Sequence, residues 1–302
     1  MKVAERFKGC ILCGAIGDAY GSSFEGIDHS NDEDTFYLFK QETESQLKWT
    51  ITDDTQMTLA TCDAIIENKE LTTNVFAQKY LDYFRQRKIS GIGASTLKAL
   101  QELDAGGHWS IVGRKGEFAA GNGAAMRIAP VAFINNFTRK QVREISTITH
   151  NNDEAYVGAL TVWLAIKLIL DNRWTGKEDL ITLLISQIPD TKLRDRLTAV
   201  KKISRIKDVG ELGHSGYVVD SVPLAIAAAN KVNDIGIEEM FIQLIEIGGD
   251  TDTNCSIAGQ IAGALVGSKE IPLDLINNLK KLDEYGWIND TIDRFTEKIN
   301  WN

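Results

Sequence analysis

The chain has 302 residues, 43% hydrophobic and 25% charged, an ordinary composition for a globular protein long enough to bury a substantial core. Its net charge of −9 speaks against a nonspecific nucleic-acid binder or a membrane-surface binder, since either needs clustered Lys and Arg. The four cysteines, Cys10, Cys13, Cys62 and Cys255, sit in apolar, helical-looking surroundings and read as small core residues, not as redox or zinc ligands. The N-terminus lacks a signal-peptide cleavage site and no run of about 18 apolar residues occurs, so the expected setting is cytoplasmic.

Apolar residues at three- and four-residue spacing predict helices over 3–20, 54–67, 73–87, 94–104, 123–134, 139–149, 153–171, 178–188, 215–231, 237–247, 254–267 and 272–282. Alternating strand patterns are scarce. The first helix runs into "GAIGDAYGSSFEG", a small-residue turn that presents Glu25. Residues 28–48 are polar and aperiodic and read as one long surface loop. The stretch 153–171 winds a wide apolar face with Lys167 as its polar interruption, which suits a central helix. No linker, charge block or repeat divides the sequence, so a single compact all-α domain over 1–302 is expected.

Two helix starts are unusually rich in oxygen. "WTITDDTQMTLA" puts Thr52, Asp53 and Asp54 at the mouth of one helix, and "GGDTDTNCSIAGQIAGALVG" puts Asp250, Asp252 and Thr253 at the mouth of another. Helix capping and the helix dipole account for one or two acidic residues at each start. The two motifs together exceed that need, because adjacent carboxylates repel unless a cation stands between them. An all-oxygen set without Cys or His suits a hard cation, and the number of carboxylates allows two ions about 3.5–4 Å apart. Gly259, Gly263 and Gly267 follow at four-residue spacing, which predicts close approach of another helix.

Other features are weaker. "AAGNGAAMRIAP" places Gly121, Asn122 and Gly123 at the mouth of an apolar helix, where free amides suit a phosphate and an ordinary turn is an equal alternative. Arg127, one turn in, is expected to form an ion pair inside the fold. "ISGIGAST" is a glycine-rich helix start containing Gly91 and Gly93, His150 precedes the central helix in a capping or structural position, and Tyr217 stands at another helix start.

In order, "GAIGDAYGSSFEG", "TDDTQMTLA", "GNGAAMRIAP", "ITHNNDEA", "GYVVDSVPLAI" and "GGDTDTNCSIAGQIAGALVG" resemble the ADP-ribosylglycohydrolase family, which includes the dinitrogen-reductase-activating glycohydrolases. The resemblance runs from about residue 9 to residue 267. It implies an all-α fold with a two-Mg²⁺ (or Mn²⁺) site that removes ADP-ribose from a modified side chain. Carried over by position, Thr52, Asp53, Asp54, Asp250, Asp252 and Thr253 would be the metal ligands. Glu25, Asp53 and Asp252 would carry the catalysis. Gly121, Asn122 and Gly123 would line the diphosphate and ribose path, with Gly91, Gly93, His150 and Tyr217 toward the distal ribose and adenosine. Two features depart from many members: Ala119 and Ala120 precede the G-N-G in place of an aromatic residue, and no proline follows His150.

The implied activity is hydrolysis of an ADP-ribosyl linkage on protein, with arginine preferred over serine or O-acetyl-ADP-ribose by analogy, and free ADP-ribose as product. The alternative is an immunity protein that neutralises an ADP-ribosylating toxin by binding it, for which the 28–48 loop is the segment to suspect.

Overall fold

The computed structural model describes residues 1–25 and 48–298, so the loop expected over 28–48 lies, apart from Lys48, outside the described residues. The principal helices are α1 (Val3–Gly21), α2 (Asp53–Glu67), α3 (Thr73–Arg85), α4 (Ala94–Asp104), α5 (Arg139–Thr147), α6 (Asp153–Leu170), α7 (Val218–Ala229), α8 (Ile237–Ile247), α9 (Thr251–Val266) and α10 (Tyr285–Lys298). Among the described residues, strand structure is limited to a parallel pair, Arg114–Lys115 with His150–Asn151, so the fold is all-α. No described helix is long and apolar enough to cross a membrane.

Some of the periodic segments have starts that are satisfied locally. Thr138 and Gln141 close a capping box on α5, and the Asn152 side chain accepts from the Glu154 and Ala155 amides to start α6. Among the described helices α9 is the most enclosed, with every residue from Thr251 to Leu265 buried. It packs against α1, α2, α6, α7 and α8. Burying Ile257 and Ile261 there contributes roughly 1.5–3 kcal/mol each.

Among the described residues, α1 and α9 make the most extensive helix–helix contact, and glycine makes it possible. A Cβ on Gly263 would lie 2.1 Å from the Gly9 carbonyl oxygen, and one on Gly9 would lie 2.2 Å from that of Gly263. The backbones therefore meet directly, as the glycine spacing predicts. The contact continues to the helix ends, where Thr251 Oγ1 donates to the Gly21 carbonyl at 2.8 Å. The last turn of α1 and the first turn of α9 are thus held as one piece.

One expected helix is absent. Residues 123–134 form two 3₁₀ stretches, Asn122–Ala124 and Ala129–Phe133. Pro130 has no N–H to bond the Met126 carbonyl four residues earlier. That carbonyl accepts instead from Thr58 Oγ1 at 3.2 Å and Gln260 Nε2 at 2.7 Å. Side chains from α2 and α9 take the place of the helical bond. The four cysteines are free and buried, as their apolar surroundings suggest.

Candidate active site

The start of α2 is gripped from behind. Thr52 is extended and caps the helix, its hydroxyl oxygen accepting from the Asp54 amide at 3.3 Å. The Thr52 hydroxyl donates to Asp18 Oδ1 at 2.8 Å, and the Thr52 amide donates to both Asp18 oxygens at 3.1 and 3.0 Å. The Thr55 amide and hydroxyl donate to Asp18 Oδ2 at 3.0 and 2.5 Å. Asp18, in the last turn of α1, belongs to none of the oxygen-rich helix starts. Its signal is a carboxylate inside the apolar second half of the helix.

The start of α9 faces this one. Gly248 and Gly249 both take left-handed conformations (φ 81° and 77°), and a Cβ on Gly249 would lie 2.4 Å from the His214 carbonyl oxygen. The glycine pair therefore makes the sharp entry that brings Asp250 to the helix mouth. Asp250 Oδ2 accepts from Asn122 Nδ2 at 2.5 Å, and Asp252 Oδ1 accepts from the Thr253 amide at 2.7 Å. The two mouths are joined by Thr253 Oγ1, which donates to Asp54 Oδ2 at 2.9 Å. Asp54 Oδ1 is buried with no hydrogen-bond partner. Glu25, Asp250 and Asp252 present oxygens that all lie within 4.8 Å of one another.

Crowded, buried carboxylates resist ionisation. Burial, opposed by the Gly93 amide and reinforced by Asp18, Asp252 and Asp250, pushes Asp53 up to about 8. Burial likewise pushes Asp252 to about 7, with the charge of Asp250 next in importance. Asp54 is raised well above the carboxylate range by burial and then by Asp252 and Asp18. Glu25 is raised chiefly by the charge of Asp252. Asp250 is raised by burial, against the hydrogen bond from Asn122.

These residues fit a hard divalent cation. The donors are all oxygen, one buried carboxylate oxygen lacks a partner, and the hydroxyl protons of Thr52 and Thr253 are spent on Asp18 and Asp54. Each threonine oxygen is thereby left as an acceptor.

A cleft of about 290 Å³ opens over the carboxylates. Glu25, Thr52, Asp53, Asp250, Asp252 and Thr253 form one side. Gly121, Asn122, Gly123 and His150 form another, and Gly91, Gly93, Ser95 and Thr96 close the rim. Asp54 lies behind this lining, buried. The Gly91–Gly93 turn sits against the carboxylate side: the Gly93 amide donates to Asp53 Oδ2 at 3.4 Å, and a Cβ on Gly91 would lie 3.7 Å from Thr52 Cβ. Tyr217 is drawn in by an antiparallel backbone bridge to Gly121, while Gly216, not Tyr217, lines the cleft.

The wall around Gly121–Gly123 differs from a free-amide phosphate cradle at a helix mouth. No α-helix follows it, and the Asn122 amide is spent on the Gly216 carbonyl at 3.1 Å. Arg127 makes no ion pair among the described residues. Fully buried, it donates to the Gly123 carbonyl and, at 2.7 Å, to Thr149 Oγ1, and its guanidinium lies 5.0 Å from the centre of the Tyr80 ring. His150 is held neutral by burial and by Arg127 and Arg114, which push it down to about 3.

Comparison with known proteins gives the family of this chain and the class of its fold. A family model described as ADP-ribosylglycohydrolase matches residues 1–302. The chain belongs to the ADP-ribosylglycohydrolase family, and membership supports a glycohydrolase acting in ADP-ribose hydrolysis. It is 31% identical to an uncharacterised protein of Archaeoglobus fulgidus, over 86% of this chain and 87% of that one. It is 26% identical to ADP-ribosylhydrolase ARH3 of Xenopus tropicalis, over 89% of each. It is 28% identical to ADP-ribosylarginine hydrolase Tri1 of Pseudomonas putida, over 91% of this chain and 74% of that one. A solved structure titled ADP-ribosylglycohydrolase-related protein complex shares the fold, with a TM-score of 0.74 at 22% identity, covering 98% of this chain and 99% of that one.

Proposed function

We propose that this chain is a divalent-cation-dependent hydrolase that releases ADP-ribose from ADP-ribosylated protein side chains, arginine being the preferred linkage, in a cytoplasmic setting. The observation that carries the reading is the meeting of Thr52, Asp53 and Asp54 on one helix start with Asp250, Asp252 and Thr253 on another, with Glu25 beside them at the cleft. These six residues would hold two Mg²⁺ or Mn²⁺ ions. Bound there, the ions would supply positive charge and Lewis acidity for orienting the hydroxyls of the ribose next to the scissile bond.

The chain's own groups do the rest. The wall of Gly121, Asn122, Gly123 and His150 receives the diphosphate and ribose and fixes the anomeric carbon over the carboxylates. Water adds to that carbon, its bond to the side chain breaks, and a proton passes to the departing nitrogen. Glu25, raised by the neighbouring Asp252 charge, would handle these protons. The carboxylates also meet the positive charge of an oxocarbenium-like transition state. Arginine is preferred to serine or O-acetyl-ADP-ribose on the likeness to the ADP-ribosylarginine hydrolase of Pseudomonas putida.

Asp53→Ala and Asp252→Ala are expected to abolish release of free ADP-ribose from modified protein while leaving the fold intact by circular dichroism. Full activity in both variants would overturn the ligand assignment. The toxin-antagonist reading turns on residues 28–48, and the geometry of the cleft lends it no support.

A further inference from the structure

The Arg127–Thr149–His150 chain behind the cleft has a definite polarity. An arginine only donates hydrogen bonds, so Thr149 Oγ1 must accept the bond from Arg127 Nη2 at 2.7 Å. The same oxygen lies 2.7 Å from His150 Nδ1. If Nδ1 carried the proton, the hydroxyl would accept twice and its own hydrogen would have no acceptor, in a place where Thr149 and Arg127 are fully buried. If the hydroxyl donates to Nδ1, both the Thr149 hydrogen and the Nδ1 lone pair are satisfied, and Arg127 Nε is the buried group of the chain left without a partner. The ring proton then sits on Nε2, at the opposite edge of the imidazole. That edge faces the cleft wall: a Cβ on Gly121 would lie 3.1 Å from Nε2, and one on Gly123 2.8 Å from Cε1. Nε2 has no hydrogen-bond partner among the described residues, and His150 lines the cleft.

We propose that Arg127 and Thr149 are positioning residues that fix His150 in the Nε2–H tautomer, so that it offers the cleft a neutral donor for a hydroxyl or phosphate oxygen of the ligand. The glycines on either side of Asn122 serve the same end. Any side chain at Gly121 or Gly123 would press on the ring and close its edge. Arg127 is also bonded to the Gly123 carbonyl, so one guanidinium sets both the G-N-G wall and the hydroxyl that orients the histidine. The identity of the ligand as ADP-ribose rests on the proposed function. The polarity of the chain does not.

The test is nitrogen-detected NMR of the imidazoles in the full chain, with the four histidines labelled and His150 assigned through His150→Gln. The expected wild-type result is a protonated Nε2 and a bare Nδ1. Thr149→Val should lose this lock and weaken ADP-ribose binding about tenfold, with the loss falling on KM more than kcat, and Thr149→Ser should restore both. A protonated Nδ1 in the wild type, or an unchanged tautomer in Thr149→Val, would overturn the proposal. If the tautomer is as expected and ADP-ribose fails to bind the wild type, the functional reading falls and the hydrogen-bond chain stands.

Discussion

Asp18 and Thr52 are joined by three hydrogen bonds, two from the Thr52 amide and one from its hydroxyl, and they tie the end of α1 to the start of α2. Because the Thr52 proton points back to Asp18, its oxygen only accepts, and beside the Asp54 amide it keeps one lone pair for the cleft. Asp18→Asn would set an amide donor against the donors of Thr52 and Thr55, at a cost of about 1–3 kcal/mol. The expected outcome is a lower melting temperature and an affinity for Mn²⁺ reduced at least about tenfold by calorimetry. Unchanged Mn²⁺ affinity would show that Asp18 only supports the fold.

Burial, and after it the charge of Asp250, disfavours the Asp252 carboxylate, so without a cation it weakens the fold that it serves. Asp252→Asn should therefore raise the melting temperature of EDTA-treated protein by an amount equivalent to about 1 kcal/mol, while hydrolysis is lost. A melting temperature that falls would mean that the carboxylate is stabilised by the protein alone.

The cation-free protein should be sensitive to alkali. In the unfolded chain the carboxyls ionise near about 4, whereas burial holds Asp252 to about 7 and Asp53 to about 8 in the fold. With folded values above unfolded ones, this source of stability is fully present below the unfolded value and is lost as pH rises through 7 to 8. The gain in melting temperature on adding Mg²⁺ should accordingly be larger above about pH 8 than near pH 6. Thermal scans with and without Mg²⁺ check this, and a gain independent of pH would contradict it.

Gly263→Ala tests the mount. Its Cβ would lie 2.1 Å from the Gly9 carbonyl oxygen, so the helices must part, at about 1–3 kcal/mol. Since α1 carries Asp18 and α9 carries Asp252, Mn²⁺ affinity should fall as well. Gly286→Ala, on α10 with nothing within 4 Å of the new methyl, should instead be neutral or stabilising by up to about 1 kcal/mol. Denaturant titration of both variants separates close packing from helix propensity.

The parts legible in the sequence were those with a local cause. Thr52 and its two aspartates announced a capped helix start, and the α9 glycines announced a close neighbour, because capping and spacing are written within a few residues. Asp18 is not legible in the sequence because its partners, Thr52 and Thr55, are 34 and 37 residues away. The helix expected at 123–134 was lost to Pro130 together with Thr58 and Gln260, which reach the Met126 carbonyl from distant segments. The helix at Tyr285–Lys298 gives little periodic signal because its buried stripe is narrow, Ile288, Thr291, Ile292 and Phe295, within a mostly polar segment. Arg127 looked like half of an ion pair, since the sequence does not show that carbonyls, Thr149 and the Tyr80 ring surround it.

The most direct test is release of free ADP-ribose from arginine-linked and serine-linked ADP-ribosylated peptides, with Mg²⁺ and with EDTA. The account predicts release that depends on Mg²⁺, faster from the arginine linkage, and absent in EDTA. Release from neither linkage in the presence of Mg²⁺, or release undiminished by EDTA, would contradict it.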